Sequence, residues 1–176
     1  LKWLVNNHYI PEYFVKIEDQ LKELTKDKEG LYTVDNQNII VGGGTDLFVQ
    51  KPEDLRKEKV INFYDQSHLN QIESNEGKCF IGAPTTVSDL EKSELMQSIF
   101  PSLKSYTKLV ASTPIRNMAT IAGNFTNASP IGDMTIFFLA LDAEILLNKN
   151  DKKRSIKLKD FYLGYKKLDK APDEFI

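Results

Sequence analysis

Two glycine-containing stretches carry the residue types that could bind an anionic ligand. The first, residues 41–47, places three consecutive glycines directly after the apolar segment 38–41. Glycines have no Cβ, so they leave a row of backbone N–H groups accessible, and such a row can bind phosphate oxygens. A glycine-rich turn between two strands is the alternative interpretation, and the residues by themselves leave both open.

The second stretch, residues 120–133, combines two glycines with short polar side chains and a closing carboxylate. Such side chains donate and accept hydrogen bonds and lose little rotamer entropy when a ligand fixes them. We expect a polar loop that encloses a polar ligand. Ser129 before Pro130 predicts the N-cap and first turn of a helix, whose free N–H groups would face the same place and suit a phosphate.

Common nucleotide and metal motifs are missing. The dinucleotide fingerprint fails because Leu47 stands where its last glycine belongs, and no Gly-Lys-Ser/Thr follows to complete a phosphate-binding loop of the Walker type. A nicotinamide-dependent Rossmann enzyme is therefore disfavoured. The chain has one cysteine, Cys79, and two histidines, which exclude a disulfide framework and a Cys/His metal site within it. We expect no metal site, and we interpret Cys79 as a packing residue.

Composition indicates an ordinary globular protein. The 176 residues are 41% hydrophobic and 27% charged, with a formal net charge of −2, so neither disorder nor a nucleic-acid partner is expected. No apolar run is long enough to span a bilayer and no leader sequence is recognisable, which predicts no membrane association and a cytoplasmic location.

Periodicity and capping signals predict a mixed α+β chain. A change of character near residues 51–59 suggests an N-terminal α/β lobe at 1–55, which holds the glycine-rich turn, and a larger α+β lobe at 56–176. The predicted helices begin at residues 17, 86, 101 and 129, with ends before Gly30 and Pro114, and residues 86–89 resemble a capping box that opens the second of them. The predicted strands lie at 38–41 and 60–63, and hairpins are predicted at 72–82 and from the segments 143–147 and 154–158.

These motifs, in this order, resemble the FAD-binding domain of the molybdenum hydroxylases, a family that includes xanthine dehydrogenase, aldehyde oxidase and aerobic carbon monoxide dehydrogenase. The resemblance covers nearly the whole chain, from about Trp3 onward. One departure is Ala122-Gly123, where the family usually has two glycines. The motifs that carry the resemblance are residues 41–47, 81–86, 115–124, 128–133 and the closing segment 160–174.

The resemblance implies a two-lobed α+β domain of the vanillyl-alcohol-oxidase type, with FAD extended between the lobes and no catalytic side chain. Both stretches would hold the pyrophosphate and its neighbouring sugars, Asp133 would accept hydrogen bonds from ribose or ribityl hydroxyls, and Ala111 would lie near the flavin ring. The predicted cofactor-binding residues are Val41, Gly42, Gly43, Gly44, Thr45, Asp46, Leu47, Ala111, Thr120, Gly123, Asn124, Thr126, Ser129 and Asp133.

The implied activity is that of an oxidoreductase component. As a flavoprotein subunit or domain it would take electrons from an iron–sulfur subunit, after a molybdopterin-containing subunit oxidises the substrate, and pass them to NAD+ or another acceptor. A flavin-free nucleotide-binding or scaffolding module with the same fold is the alternative. Family members carry a further segment that helps to enclose the ring, so we expect this chain alone to hold FAD weakly. We also expect Gly43→Ala to weaken FAD binding more than folding.

Overall fold

The computed structural model describes residues 1–25, 38–64, 66–149 and 152–176. Its contacts divide the chain into two compact units, Leu1–Tyr32 and Thr33–Ile176. The predicted lobe boundary between residues 55 and 56 falls within the second unit and stays a prediction. None of the helices in these ranges is long and apolar enough to cross a lipid bilayer.

The first unit is helical in the part that the structure describes. It contains α1 (Lys2–Asn6), a 3-10 turn (Glu12–Val15) and α2 (Ile17–Thr25). The predicted helix from residue 17 is confirmed, while its predicted end before Gly30 lies outside the described residues. Trp3 stacks on Tyr9 with ring centroids 5.7 Å apart, and both side chains are exposed.

The second unit opens with a parallel strand pair. β1 (Asn38–Val41) runs alongside β2 (Lys59–Asn62), and α3 (Leu47–Gln50) and α4 (Pro52–Leu55) form the connection between them. Parallel strands require such a crossover, and ligand sites often lie at the carboxyl ends of these strands. The glycine-rich turn occupies that end of β1, so it connects a strand to a helix and not two strands.

The rest of the second unit surrounds a helical core. Buried side chains of Leu90, Met96, Leu103, Met134 and Phe161 form its centre. The elements are the hairpin β3 (Ile72–Asn75) and β4 (Lys78–Ile81), the helices α5 (Val87–Lys92), α6 (Glu94–Ile99), α7 (Leu103–Thr107), α8 (Thr113–Met118), α9 (Ile121–Asn127) and α10 (Asp133–Ala140), and the hairpins β5 (Glu144–Lys149) with β6 (Lys152–Lys157) and β7 (Tyr162–Gly164) with β8 (Lys167–Leu168).

The C-terminal residues close the unit against the first strand pair. Phe175 pairs with Asn148 of β5 through two backbone hydrogen bonds of 2.7 and 3.0 Å. Its ring also meets that of Phe63 edge-on, with centroids 5.3 Å apart, next to Ile61 and Ile40. The C-terminal segment therefore connects β5 with the part of the molecule that holds the glycine-rich turn.

Candidate functional site

The glycine-rich turn packs directly against the connection between α8 and α9. A Cβ on Gly43 would overlap the carbonyl group of Met118, and one on Gly42 would overlap the Thr120 hydroxyl. Gly44 has a positive φ of 70°, which side-chain-bearing residues rarely adopt, and a Cβ there would meet the ring of Phe48. The structure therefore brings the two predicted stretches together, and the close approach of their backbones requires glycine.

The backbone N–H groups of residues 43–46 differ in exposure: Gly43 and Gly44 are buried, Thr45 is half-buried and Asp46 is exposed. Within the ranges that the structure describes, these four groups donate no hydrogen bond. A backbone N–H group without an acceptor in the protein needs one from water or from a ligand. A row of such groups in a turn therefore attracts an anion. The turn therefore supplies donors even though its glycines are required by packing.

The start of α9 has its own N–H groups already bound. Thr120 caps the helix, with Oγ1 accepting from the Gly123 N–H at 3.1 Å. The N–H of Ile121 donates to Thr85 at 2.9 Å and that of Ala122 donates to Ala83 at 3.3 Å. This helix start therefore offers a ligand the Thr120 hydroxyl hydrogen, but not its first N–H groups.

The predicted polar loop and the predicted helix start at Ser129-Pro130 are both wrong. Residues 121–127 form α9, because Thr120 supplies the N-cap, and Ala128 ends that helix in the left-handed conformation with φ 50°. Ser129 then lies in a turn, where its Oγ accepts from Ile131 N–H at 3.4 Å. The next helix, α10, begins only at Asp133, with Gly132 as its N-cap.

Asn124 and Asp133 lie where α9 meets α10. The side-chain oxygen of Asn124 accepts from the N–H and the hydroxyl of Thr135, at 3.0 and 2.9 Å. Asp133 is exposed in the first turn of α10, and its carbonyl oxygen accepts from the Tyr106 hydroxyl at 2.8 Å. The side-chain oxygen of Asn124 therefore has a structural role. The Asp133 carboxylate makes no hydrogen bond to a described residue.

Ala111 is held in an unusual backbone conformation. Its φ is 44°, in the left-handed region. The Arg116 guanidinium donates to the carbonyl oxygens of Val110 and Ala111, both at 3.0 Å, and to the Thr113 hydroxyl at 2.9 Å. Arg116 therefore fixes the exposed segment in which the resemblance expects a flavin contact.

A cavity of about 180 Å³ lies next to the glycine-rich turn. Four predicted site residues line it, namely Gly42, Thr120, Gly123 and Thr126. The predicted residues that do not line it are Val41, Gly43, Gly44, Thr45, Asp46, Leu47, Ala111, Asn124, Ser129 and Asp133. The lining residues that were not predicted from the sequence are Asn38, Ile40, Phe63, Ala83, Pro84, Ala122, Lys170, Pro172, Glu174, Phe175 and Ile176.

Ion pairs fix the C-terminal wall of this cavity. The Arg154 guanidinium donates to both carboxylate oxygens of Glu174, at 2.7 and 2.8 Å, and to Asp169 at 3.2 Å. The Ala171 N–H also donates to Glu174 at 2.8 Å. The hydrogen bonds from Arg154 are the main reason why the pKa of Glu174 falls to about 2. At neutral pH the Glu174 carboxylate is therefore ionised, and these hydrogen bonds fix its position.

The chain matches the model of a known family over residues 15–176, described as the FAD binding domain in molybdopterin dehydrogenase. It belongs to this family, whose cofactor is FAD, and the resemblance drawn from the sequence is confirmed.

Relatives and solved structures agree with this assignment. The glyceraldehyde dehydrogenase medium chain of Sulfolobus acidocaldarius is 30% identical over 89% of this chain and 54% of its own length. The nicotinate dehydrogenase FAD-subunit of Eubacterium barkeri is 32% identical over 71% of this chain and 43% of its own length. The chain thus spans about half the length of these relatives.

The fold is shared with the carbon monoxide dehydrogenase from Hydrogenophaga pseudoflava. One of its chains superposes with a TM-score of 0.72 at 23% identity, over 89% of this chain and 53% of that one. The mixed helix and strand architecture expected from the sequence is therefore confirmed.

The residues at the site fit the phosphate portion of FAD. The N–H groups of the turn, which donate to no described residue, and the Thr120 hydroxyl hydrogen are donors, as phosphate oxygens require. Thr126 differs, because its hydroxyl already donates to Ala122 at 2.9 Å and keeps only acceptor capacity. Ligand pockets usually measure about 300–1,000 Å³, so a cavity of about 180 Å³ accommodates part of such a cofactor.

Proposed function

We propose that this chain is the FAD-binding part of an electron-transfer flavoprotein in a molybdenum-dependent dehydrogenase. The observation that supports it most is that the glycine-rich turn packs on residues 118–120 while the N–H groups of residues 43–46 have no acceptor among the described residues. Membership of the FAD-binding family adds independent support. The finer description as a vanillyl-alcohol-oxidase type, with lobes at residues 1–55 and 56–176, belongs to this proposal.

The turn and Thr120 would bind the pyrophosphate. N–H groups preorganised by packing donate to phosphate oxygens without first giving up internal partners, so little free energy is lost on binding. Asp133, which carries no competing hydrogen bond within the described residues, would accept from ribose or ribityl hydroxyls. Arg116 would keep the Ala111 segment in place beside the ring system.

The protein would supply binding and position. FAD, when bound, supplies reversible electron acceptance. No side chain needs to act as nucleophile or general base, and none is proposed as catalytic.

The partners we propose are an iron–sulfur subunit, from which electrons would arrive, and a molybdopterin-containing subunit that would oxidise the substrate. Relatives named as a medium chain and as a FAD-subunit are parts of larger enzymes, which supports an assembly of this kind. NAD+ or another acceptor would take the electrons. The cytoplasmic location stays a prediction.

FAD titration followed by visible absorption and calorimetry tests the proposal. We expect saturable binding that is weak for the chain alone and stronger in the assembled complex. Absence of binding in both preparations would contradict it and would favour the flavin-free scaffolding module.

A further inference from the structure

Lys170 is a half-buried cation on the wall of the cavity. It lines the same space as Gly42 and Thr120. Its ammonium group donates to the carbonyl oxygens of Ala171 and Glu174, at 3.1 and 2.6 Å. An ammonium group has three hydrogens, so one donor remains available.

The carboxylates nearest to Lys170 are bound by other cations. Glu174 is paired with Arg154 at 2.7 Å, and Asp173 is paired with Lys149 at 2.7 Å. Within the described part of the chain, no carboxylate lies within ion-pair distance of Lys170. A partly buried charge without a counter-ion is unfavourable, so an anion in the cavity would stabilise it.

The pKa of Lys170 is consistent with a charge that lacks a counter-ion. Partial burial is the main cause that lowers the pKa of Lys170, and the more distant charges of Glu174 and Asp173 only partly oppose it. The same lining includes Gly42 of the glycine-rich turn and Thr120. Thr120 Oγ1 accepts from Gly123 N–H, and its hydroxyl hydrogen donates to no described residue. Two segments far apart in sequence therefore contribute a positive charge and a hydroxyl donor to the lining of one cavity.

We propose that Lys170 binds a phosphate group of a nucleotide ligand in this cavity, together with the Thr120 hydroxyl. The rest of the lining suits the adjoining uncharged part of the ligand, because Ile40, Phe63 and Phe175 are apolar. This assignment rests on the proposed function, since FAD is the expected nucleotide. A lysine binds phosphate as a point charge, so the contact depends on the charge more than on the shape of the side chain.

Calorimetric titration with ADP, adenosine and FAD tests this role of Lys170. Lys170→Met should weaken ADP and FAD binding roughly tenfold or more, as expected for loss of a charge-assisted contact, and should leave adenosine binding unchanged. Lys170→Arg keeps the charge and should retain most of the ADP affinity. Lys104→Met is the matched control, because Lys104 is exposed and does not line the cavity, and it should bind all three ligands as the unmodified chain does.

Labelling of the unmodified protein provides a test that does not depend on how a variant folds. Acetylation of Lys170, followed by mass spectrometry, should slow when ADP is present and not when adenosine is present. Lys104 should react equally in both cases.

The outcomes separate this inference from the proposed function. Unchanged ADP and FAD affinity in Lys170→Met would overturn the inference and leave the proposed function standing. ADP binding that depends on Lys170, without any FAD binding, would support the inference and contradict the proposed function. No binding of either ligand, or equal labelling with and without ADP, would overturn the inference.

Discussion

Glycine at position 43 is required by the protein itself, because a Cβ at this position would overlap the Met118 carbonyl group. Gly43→Ala should therefore destabilise the fold by roughly 3 kcal/mol or more, as forced overpacking against backbone does. This reverses the expectation from the sequence that FAD binding would suffer more than folding. A thermal melt of the FAD-free protein measures it.

Gly164→Ala is the matched control for that substitution. Gly164 has no atom within 4 Å of a built Cβ, so its thermal midpoint should hardly change. Equal stability of the two variants would show that the turn and residues 118–120 do not pack as described.

Asp133 is the side chain for which a ligand contact and a structural role can be separated. Asp133→Ala should lose roughly 1–3 kcal/mol of FAD binding, because cofactor hydroxyls would lose their acceptor, and Asp133→Asn should lose less. A carboxylate in the first turn of a helix also stabilises that helix. Equal loss of thermal stability by both variants in FAD-free protein would identify Asp133 as a helix-start residue.

Between elements, Asn124 connects α9 to the first turn of α10. Asn124→Ala leaves the N–H and hydroxyl of buried Thr135 without their acceptor, so we expect a loss of roughly 1–3 kcal/mol of stability. Asn124→Asp keeps an oxygen acceptor and should stay closer to the unmodified protein. Urea unfolding of the FAD-free protein compares the two, and an alanine variant as stable as the original would refute the connection.

Short sequence motifs predicted the helix starts and hairpins whose formation depends on residues close together in the chain. The capping box at Thr86 and Asp89 is confirmed, with Thr86 Oγ1 accepting from Asp89 N–H and Asp89 accepting from Thr86 N–H, both at 3.0 Å. The hairpins β3–β4 and β5–β6 are confirmed too. In each case the signal lies within a few residues of the element.

The helices α8 and α9 were missed for a physical reason. Thr113–Met118 has Pro114 near its start, and that proline was interpreted only as the end of the preceding helix, although proline also suits a first turn. In α9 the short polar side chains have weak helix propensity, but Thr120 caps its start and Phe125 is buried in the core. Tertiary packing outweighs propensity at this point.

The ion pair of Arg154 and Glu174 connects β6 to the C-terminal segment that forms one cavity wall. Glu174 has a pKa of about 2, against an ordinary value of 4.5. A lowered pKa means that Glu174 contributes stability above pH 4.5, and that this contribution is lost as the pH falls towards 2.

Glu174→Gln should therefore be less stable than the unmodified protein at neutral pH, by roughly 1–3 kcal/mol from the weakened charged hydrogen bonds. The difference should shrink between pH 4.5 and 2. Thermal midpoints of both proteins across this range provide the measurement. If the difference in thermal midpoint stays constant with pH, ionisation of Glu174 does not stabilise the fold.

The candidate site could be predicted from the sequence only where it is continuous along the chain. Gly42, Thr120, Gly123 and Thr126 belong to motifs recognisable by their glycines and small polar residues, and all four line the cavity. Lys170 reaches the same cavity because pairing of Phe175 with β5 brings its segment there. Such long-range pairing leaves no local sequence signal.

FAD titration of the protein, alone and with its proposed iron–sulfur and molybdopterin partners, tests whether this chain is a flavoprotein. Visible absorption and calorimetry together report both binding and stoichiometry. The N–H groups of residues 43–46, which have no acceptor among the described residues, predict saturable binding, with one FAD per chain in the complex. A complex that assembles and stays colourless at saturating FAD would contradict the assignment of this chain as a flavoprotein.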